Sequence, residues 1–144
     1  MTEHKYALQA ETTDDHIVTV SMEGMDDFEV TSAPDWYPDA KEGLFSPQTM
    51  FVSASASCLI LSVFKAAKRL HTDFKHISID ALGTMGENDD VWSFAKIELK
   101  VKAVVENEGQ IDKISRAIDL AHKTCPIANT LKCPTIINKE IIVG

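Results

Sequence analysis

Two cysteines are the side chains best suited to chemistry in this 144-residue chain. Cys58 lies in an apolar stretch, and Cys125 comes 67 residues later, directly before Pro126. A thiolate is a nucleophile, and two neighbouring thiols can form and exchange a disulfide. An isolated helical cysteine is also often only a small buried apolar residue. A disulfide needs Cα atoms about 4.4–6.8 Å apart, so the spacing alone leaves both interpretations open.

A metal site is the main alternative for these thiols. His122, Cys125 and Cys133 could be drawn as three ligands, but their spacing matches no zinc pattern and a fourth ligand is missing. Cys133 precedes Pro134 in a predicted loop and is interpreted as incidental. No glycine-rich phosphate loop occurs. The sequence therefore predicts neither a metal nor a cofactor.

Two predicted helices position the cysteines. Ser46 can cap the first helix, and Pro47 suits its first position. From residue 50 to residue 67 only Lys65 is charged, which predicts a helix buried on all sides. The second helix is predicted from near Gly109, with an apolar stripe that ends at Cys125 before a proline terminates it.

Short strands surround these helices in the prediction. A loop at residues 34–46 carries Trp36 and Tyr37, and a turn is predicted at residues 86–90. The predicted strands lie at residues 6–10, 17–22, 28–30, 77–81, 97–103 and 135–143. We expect one α+β domain over residues 1–144, with an antiparallel sheet, a long buried central helix and a second amphipathic helix. One sheet covers only one side of such a helix, so we also expect a homodimer.

Composition excludes several classes of partner. With a net charge of −8 and a pI near 5.0, the chain has no net positive charge to attract nucleic acid or an anionic membrane surface. The uncharged run at residues 49–64 contains four serines, and we interpret it as too short and too polar to span a membrane. The N-terminus does not resemble a signal peptide, and three cysteines without one indicate reduced thiols in a cytoplasmic protein.

Two segments carry a resemblance to a known family. Ser46-Pro47-Gln48, followed by Ala54, Ala56 and Ser57-Cys58, resembles the first helix of the OsmC/Ohr family (osmotically inducible protein C and organic hydroperoxide resistance proteins). The segment Cys125-Pro126-Ile127-Ala128-Asn129 is similar to that family's Cys-Pro-x-x-Asn sequence. The close match to the family spans residues 46–129. The N-terminal strands agree with the family only in being predicted strands.

The resemblance implies an OsmC-like fold, an intertwined homodimer and thiol-dependent reduction of organic hydroperoxides without a cofactor. On that analogy Cys58 attacks the peroxide and becomes a sulfenic acid, which condenses with Cys125. An external dithiol then reduces the disulfide. Cys58 and Cys125 are thus the catalytic residues that the resemblance implies.

The chain departs from the family's pattern at two positions. Gln48 stands where the family's peroxidases have a glutamate, and no arginine precedes Arg69 to hold the thiolate. Ten helical residues span roughly 15 Å, so in a straight helix Gln48 does not touch Cys58 of its own chain. Lys41 is the nearest cation upstream of Cys58, and Lys5 is another. Gln48, Lys41 and Trp36 are our candidates for residues that support the thiolate or line the substrate pocket.

These departures keep two other functions open. One is a non-catalytic OsmC-like protein that binds a small apolar ligand at the dimer interface, where the Trp36 loop would contribute. The other is a slow disulfide redox switch. Sequence does not separate such a switch from slow peroxidase turnover.

Overall fold

A computed structural model describes residues 2–144. Its helices and strands lie in the following order: β1 Gln9–Asp14, β2 Ile17–Ser21, β3 Phe28–Thr31, α1 Pro47–Arg69, β4 His76–Asn88, β5 Val91–Val105, a 3₁₀ turn Glu108–Gln110, α2 Ile111–Thr124, α3 Pro126–Thr130 and β6 Thr135–Val143. The residues up to Phe51 form one compact unit, and those from Val52 onwards form another.

The first unit contains a three-stranded antiparallel sheet in the order β1-β2-β3. The predicted first strand is displaced, because β1 begins at Gln9 and leaves Tyr6 outside it with 91% of its surface exposed. Pairing of β1 with β2 around the turn at Asp15 and His16 sets this register, rather than the alternation of Tyr6 and Leu8.

The start of α1 agrees with the prediction. Ser46 Oγ accepts a hydrogen bond from the Thr49 backbone N–H at 3.2 Å. In return, the Ser46 backbone N–H donates to Thr49 Oγ1 at 2.8 Å. This reciprocal capping pairs orphan N–H groups at the first turn and fixes the helix start at Pro47.

The second unit contains a sheet in the order β4-β5-β6. β4 and β5 form a long antiparallel hairpin, whose turn is only Asp89 and Asp90, both with positive φ (52° and 62°). That conformation suits a tight two-residue turn, so residues 86–88 extend the strand instead of forming the loop that the sequence suggested. β6 pairs with β5 in parallel, which corrects the all-antiparallel expectation. The connection through α2 crosses over the sheet and brings the chain back in the same direction.

The core of this unit is formed by buried residues of α2, of β5 and of one stripe of α1. The buried residues of α2 are Ile114, Ala117, Ile118 and Ala121, and those of β5 are Ile97, Leu99, Val101, Ala103 and Val105. α2 is tied to β6 by Lys139, whose Nζ donates to Asp119 Oδ1 at 2.8 Å and to Ser115 Oγ at 2.9 Å. The predicted amphipathic character of α2 is confirmed.

α1 is buried along one side only within the single chain. Its buried residues are Ser55, Leu59, Val63, Ala66 and Ala67, whereas Leu61 is 67% exposed and Phe64 is 57% exposed. Burial on all sides is therefore not achieved by one chain. The homodimer expected from that pattern stays a prediction.

The length and composition of α1 also meet the criteria for a membrane span. An 18-residue window has a mean hydropathy of 1.7, and 28% of that window is buried. The helix is longer than the segment at residues 49–64 because it begins at Pro47 and continues through Lys65 to Arg69. One such helix is weak evidence, since the core helix of a soluble protein meets the same criteria. The absence of a membrane span stays a prediction.

Candidate active site

The two predicted catalytic cysteines lie side by side in the second unit. Cys125 Sγ donates a hydrogen bond to Cys58 Sγ across 2.9 Å, and both thiols are free. A disulfide has a sulfur–sulfur distance of about 2.05 Å, so a small side-chain movement would bring these atoms to bonding distance. The sequence left open whether Cys58 and Cys125 lie close together, and the structure places their sulfur atoms in contact.

Cys58 lies at the border between the buried stripe of α1 and a groove along the same helix. The groove has a volume of about 570 Å³. It is lined by Ala54, Ser57, Cys58, Leu61, Ser62, Lys65, Ala66, Arg69, Leu120, Thr124 and Pro126. Cys58 is half-buried, and Ser62 Oγ one turn along the helix lies 4.0 Å from its sulfur. A small molecule in the groove would therefore meet the Cys58 sulfur.

Cys125 is placed by the proline that follows it. A residue before proline avoids the helical region, and Cys125 is extended with φ −66° and ψ 117°. α2 consequently ends at Thr124, and Pro126 begins the short helix α3 at a position where its missing N–H costs nothing. The Asn129 side chain donates to the Lys123 carbonyl at 3.2 Å, which joins α3 to the end of α2. The Cys-Pro-x-x-Asn segment therefore sets the position of the Cys125 thiol at the junction of α2 and α3.

Burial determines the protonation of Cys125. The residue is 1% exposed, and this desolvation is the main reason why its pKa is raised. The hydrogen bond to Cys58 raises the pKa further, while the backbone N–H groups of Ala128 and Ile127 act in the opposite direction. Cys125 therefore keeps its proton at neutral pH, which agrees with its role as the donor in the sulfur–sulfur contact.

The other predicted site residues belong to the first unit. The Lys41 ammonium donates to Glu29 Oε1 at 3.2 Å, and Trp36 is 47% exposed in its loop. Gln48 lies in the first turn of α1, and its Oε1 is buried without a hydrogen-bond partner among residues 2–144. Their roles at the cysteine pair remain predictions, as does a role for Lys5.

The sequence interpretation missed two cations that line the groove. Lys65 and Arg69 follow Cys58 by seven and eleven residues, and this spacing keeps all three on one side of the helix. The cations considered from the sequence, Lys41 and Lys5, lie upstream of Cys58, whereas helical periodicity downstream of it indicates Lys65 and Arg69. In the part of the chain that the structure describes, neither side chain has an ion pair or hydrogen bond.

No metal centre is evident in the described part of the chain. Among residues 2–144, no group of three or more histidine, cysteine, aspartate or glutamate side chains is arranged to hold a metal ion. Cys133 is half-buried in the loop before β6 and is a free thiol. The chemistry that this site can perform directly is that of two adjacent thiols.

Comparison with known proteins defines the class to which this fold and site belong. The family model for OsmC-like proteins matches residues 39–140. The chain belongs to the OsmC-like protein family.

Solved structures share the whole fold. An OsmC-like protein of unknown function from Vibrio cholerae has a TM-score of 0.83 at 20% identity, with 97% of this chain and 100% of that chain covered. An OsmC-like protein from Mycoplasma pneumoniae has a TM-score of 0.83 at 20% identity, with 98% and 99% covered. An organic hydroperoxide resistance protein from Elizabethkingia anophelis has a TM-score of 0.70 at 16% identity, with 99% of both chains covered. No curated protein matches the sequence.

Proposed function

We propose that this protein is a thiol-dependent peroxidase that reduces organic hydroperoxides through Cys58 and Cys125. The observation that carries the proposal is the 2.9 Å contact between the two sulfur atoms beside an open groove. Membership of the OsmC-like family and the similarity to organic hydroperoxide resistance proteins support a peroxide-related redox role.

The chemistry assigns a different task to each thiol. The Cys58 sulfur, as thiolate, attacks one oxygen of the hydroperoxide, an S–O bond forms and the O–O bond breaks. The alcohol leaves after its alkoxide takes a proton, and Cys58 has become a sulfenic acid. The Cys125 sulfur then attacks the Cys58 sulfur, an S–S bond forms and water leaves. An external dithiol returns two electrons and restores both thiols.

The position of each thiol fits its task. Cys58 borders the groove, so a peroxide can reach it, whereas Cys125 is almost fully buried. A sulfenic acid is also open to further oxidation, which is irreversible in most proteins. A buried thiol 2.9 Å away limits that loss by closing the disulfide promptly.

Stopped-flow mixing of reduced protein with cumene hydroperoxide tests the proposal. We expect two thiols to be lost for each peroxide consumed, and we expect dithiothreitol to sustain repeated turnover. Unchanged thiol content at excess peroxide would contradict the proposal. A single round of oxidation that no dithiol reverses would also contradict it, and would favour damage over catalysis.

We also propose that the protein acts as a homodimer. Phe64, which does not line the groove, leaves apolar surface exposed on α1, and a second copy would cover it. Light scattering should give twice the chain mass of 15.9 kDa, and a Phe64→Glu substitution should shift the protein towards the single-chain mass. A single-chain mass for the unsubstituted protein at micromolar concentration would contradict this proposal.

A second candidate function is non-catalytic binding of a small apolar ligand. The apolar part of the groove, formed by Leu61, Leu120 and Pro126, favours it. A Cys58→Ser variant separates the two functions, because ligand binding should survive that change and peroxide reduction should not.

A further inference from the structure

The hydroxyl groups that line the groove along α1 are used in different ways. Ser57 and Thr124 each donate to the backbone carbonyl four residues earlier in their own helix. Serine and threonine commonly form this bond inside helices, and it occupies the hydroxyl proton. Among residues 2–144, the only hydrogen-bond partner of the Ser62 hydroxyl is the sulfur of Cys58, at 4.0 Å. The Ser62 proton is therefore not committed to the backbone.

The position of Ser62 on the helix explains its contact with the sulfur. Residues four apart lie on the same face of an α-helix, and the Cα–Cβ bond leans towards the N-terminus. The Ser62 side chain therefore extends back towards Cys58, and both residues are half-buried at the groove. A neutral thiol is a weak hydrogen-bond acceptor, which fits the long separation of 4.0 Å. A thiolate would draw the hydroxyl closer, because charge-assisted hydrogen bonds are shorter and stronger.

The other polar groups around Cys58 are less suited to support a thiolate. Lys65 and Arg69 line the groove, but they lie roughly 10 Å and 16 Å beyond Cys58 along the helix axis at 1.5 Å per residue. Cys125 donates to the Cys58 sulfur at 2.9 Å, but a thiol is a weak donor. Within residues 2–144, no acidic side chain lines the groove. Of the two groups that contact the sulfur, the Ser62 hydroxyl is thus the better donor.

We propose that the Ser62 hydroxyl donates a hydrogen bond to the Cys58 thiolate and so holds the nucleophile in its reactive, ionised form. This inference adds a positioning residue to the proposed peroxidase function, and its part in catalysis rests on that function. A hydrogen bond to the charged form of a group favours that form. Ser62 keeps its own proton throughout. The hydroxyl turns towards the sulfur as the thiol proton departs to solvent.

Alkylation of Cys58 by iodoacetamide tests the inference without any peroxide. The thiolate is the species that reacts, so the rate as a function of pH reports how readily the thiolate forms. Mass spectrometry of the Cys58 peptide separates its label from that on the other cysteines. We expect Ser62→Ala to lower the rate at pH 7 about fivefold and to move the midpoint of the pH profile upwards by about 0.7 pH units, since one hydrogen bond contributes a modest free energy. At a pH where the thiol is ionised in both proteins, the two rates should meet.

Two further variants isolate the contribution of the hydroxyl. Ser62→Thr retains the hydroxyl and should keep the rate at pH 7 within about twofold of the wild type. Ser53→Ala removes a serine hydroxyl from the exposed surface of the same helix, outside the groove, and should leave the pH profile unchanged. An unchanged profile in Ser62→Ala would overturn the inference, and so would an equal displacement in Ser53→Ala. A fall by the same factor at every pH would also overturn it, because a loss of structure alone has that signature.

Oxidation by peroxide separates this inference from the proposed function. If cumene hydroperoxide oxidises Cys58, the first oxidation step at pH 7 should be about fivefold slower in Ser62→Ala, in line with the alkylation rate. An undiminished oxidation rate in that variant would overturn the role of Ser62 in catalysis. If cumene hydroperoxide oxidises no thiol of the wild-type protein, the peroxidase proposal is rejected. The alkylation profiles then decide alone, and a displaced profile in Ser62→Ala would still support the bond between the hydroxyl and the thiolate.

Discussion

The groove on α1 and the junction between α2 and α3 each present one thiol, in opposite surroundings. Cys58 is half-buried, borders a groove with two cations and accepts a hydrogen bond. Cys125 is 1% exposed, its pKa is raised by burial, and it donates that hydrogen bond. Two chemically identical side chains thus differ in exposure and in hydrogen bonding. In the proposed reaction Cys58 meets the substrate, whereas Cys125 meets only Cys58.

Removal of the exposed member of the pair should have the largest effect. We expect Cys58→Ser to lower the rate of hydroperoxide reduction by a factor of about a thousand or more, because a serine hydroxyl does not replace the nucleophilic sulfur. The rate of peroxide loss with excess dithiothreitol measures this effect. A Cys133→Ser variant is the control and should keep the wild-type rate. An equal loss of rate in Cys58→Ser and Cys133→Ser would show that Cys58 has no special role in peroxide reduction.

Removal of the buried member should change the product more than the first reaction step. In Cys125→Ala we expect one thiol lost per peroxide and a sulfenic acid on Cys58, which dimedone labels. Alanine is preferred to serine, since an unpaired buried hydroxyl would cost about 1–3 kcal/mol of stability. An undiminished yield of disulfide in this variant would show that another cysteine resolves the sulfenic acid.

The raised pKa of Cys125 predicts the pH dependence of disulfide closure. The attacking species is the thiolate, and its fraction falls about tenfold for each pH unit below the pKa. Because burial raises that pKa, the rate of closure should keep rising with pH beyond the ordinary cysteine pKa of about 8.5. Rapid quenching after peroxide addition, followed by mass spectrometry, measures closure separately from the first attack. A plateau reached below pH 8 would contradict the account of the Cys125 surroundings.

The sequence predicted the elements around the cysteines well because their signals are local. The Ser46-Pro47 start of α1 and the end of α2 before Pro126 depend on residues that are neighbours in the chain. The contact between Cys58 and Cys125 was only a possibility, since it depends on how α1 and α2 pack across a separation of 67 residues. The parallel pairing of β6 with β5 was missed for the same reason, because periodicity within a strand does not report the direction of its partner.

The most direct test of the central claim is a disulfide map after one equivalent of cumene hydroperoxide. Reduced protein is oxidised, remaining thiols are blocked, and the peptides are identified by mass spectrometry without reduction. The account predicts an intrachain bond between Cys58 and Cys125, with Cys133 blocked as a free thiol. A bond that includes Cys133, or three free thiols after peroxide is consumed, would contradict it.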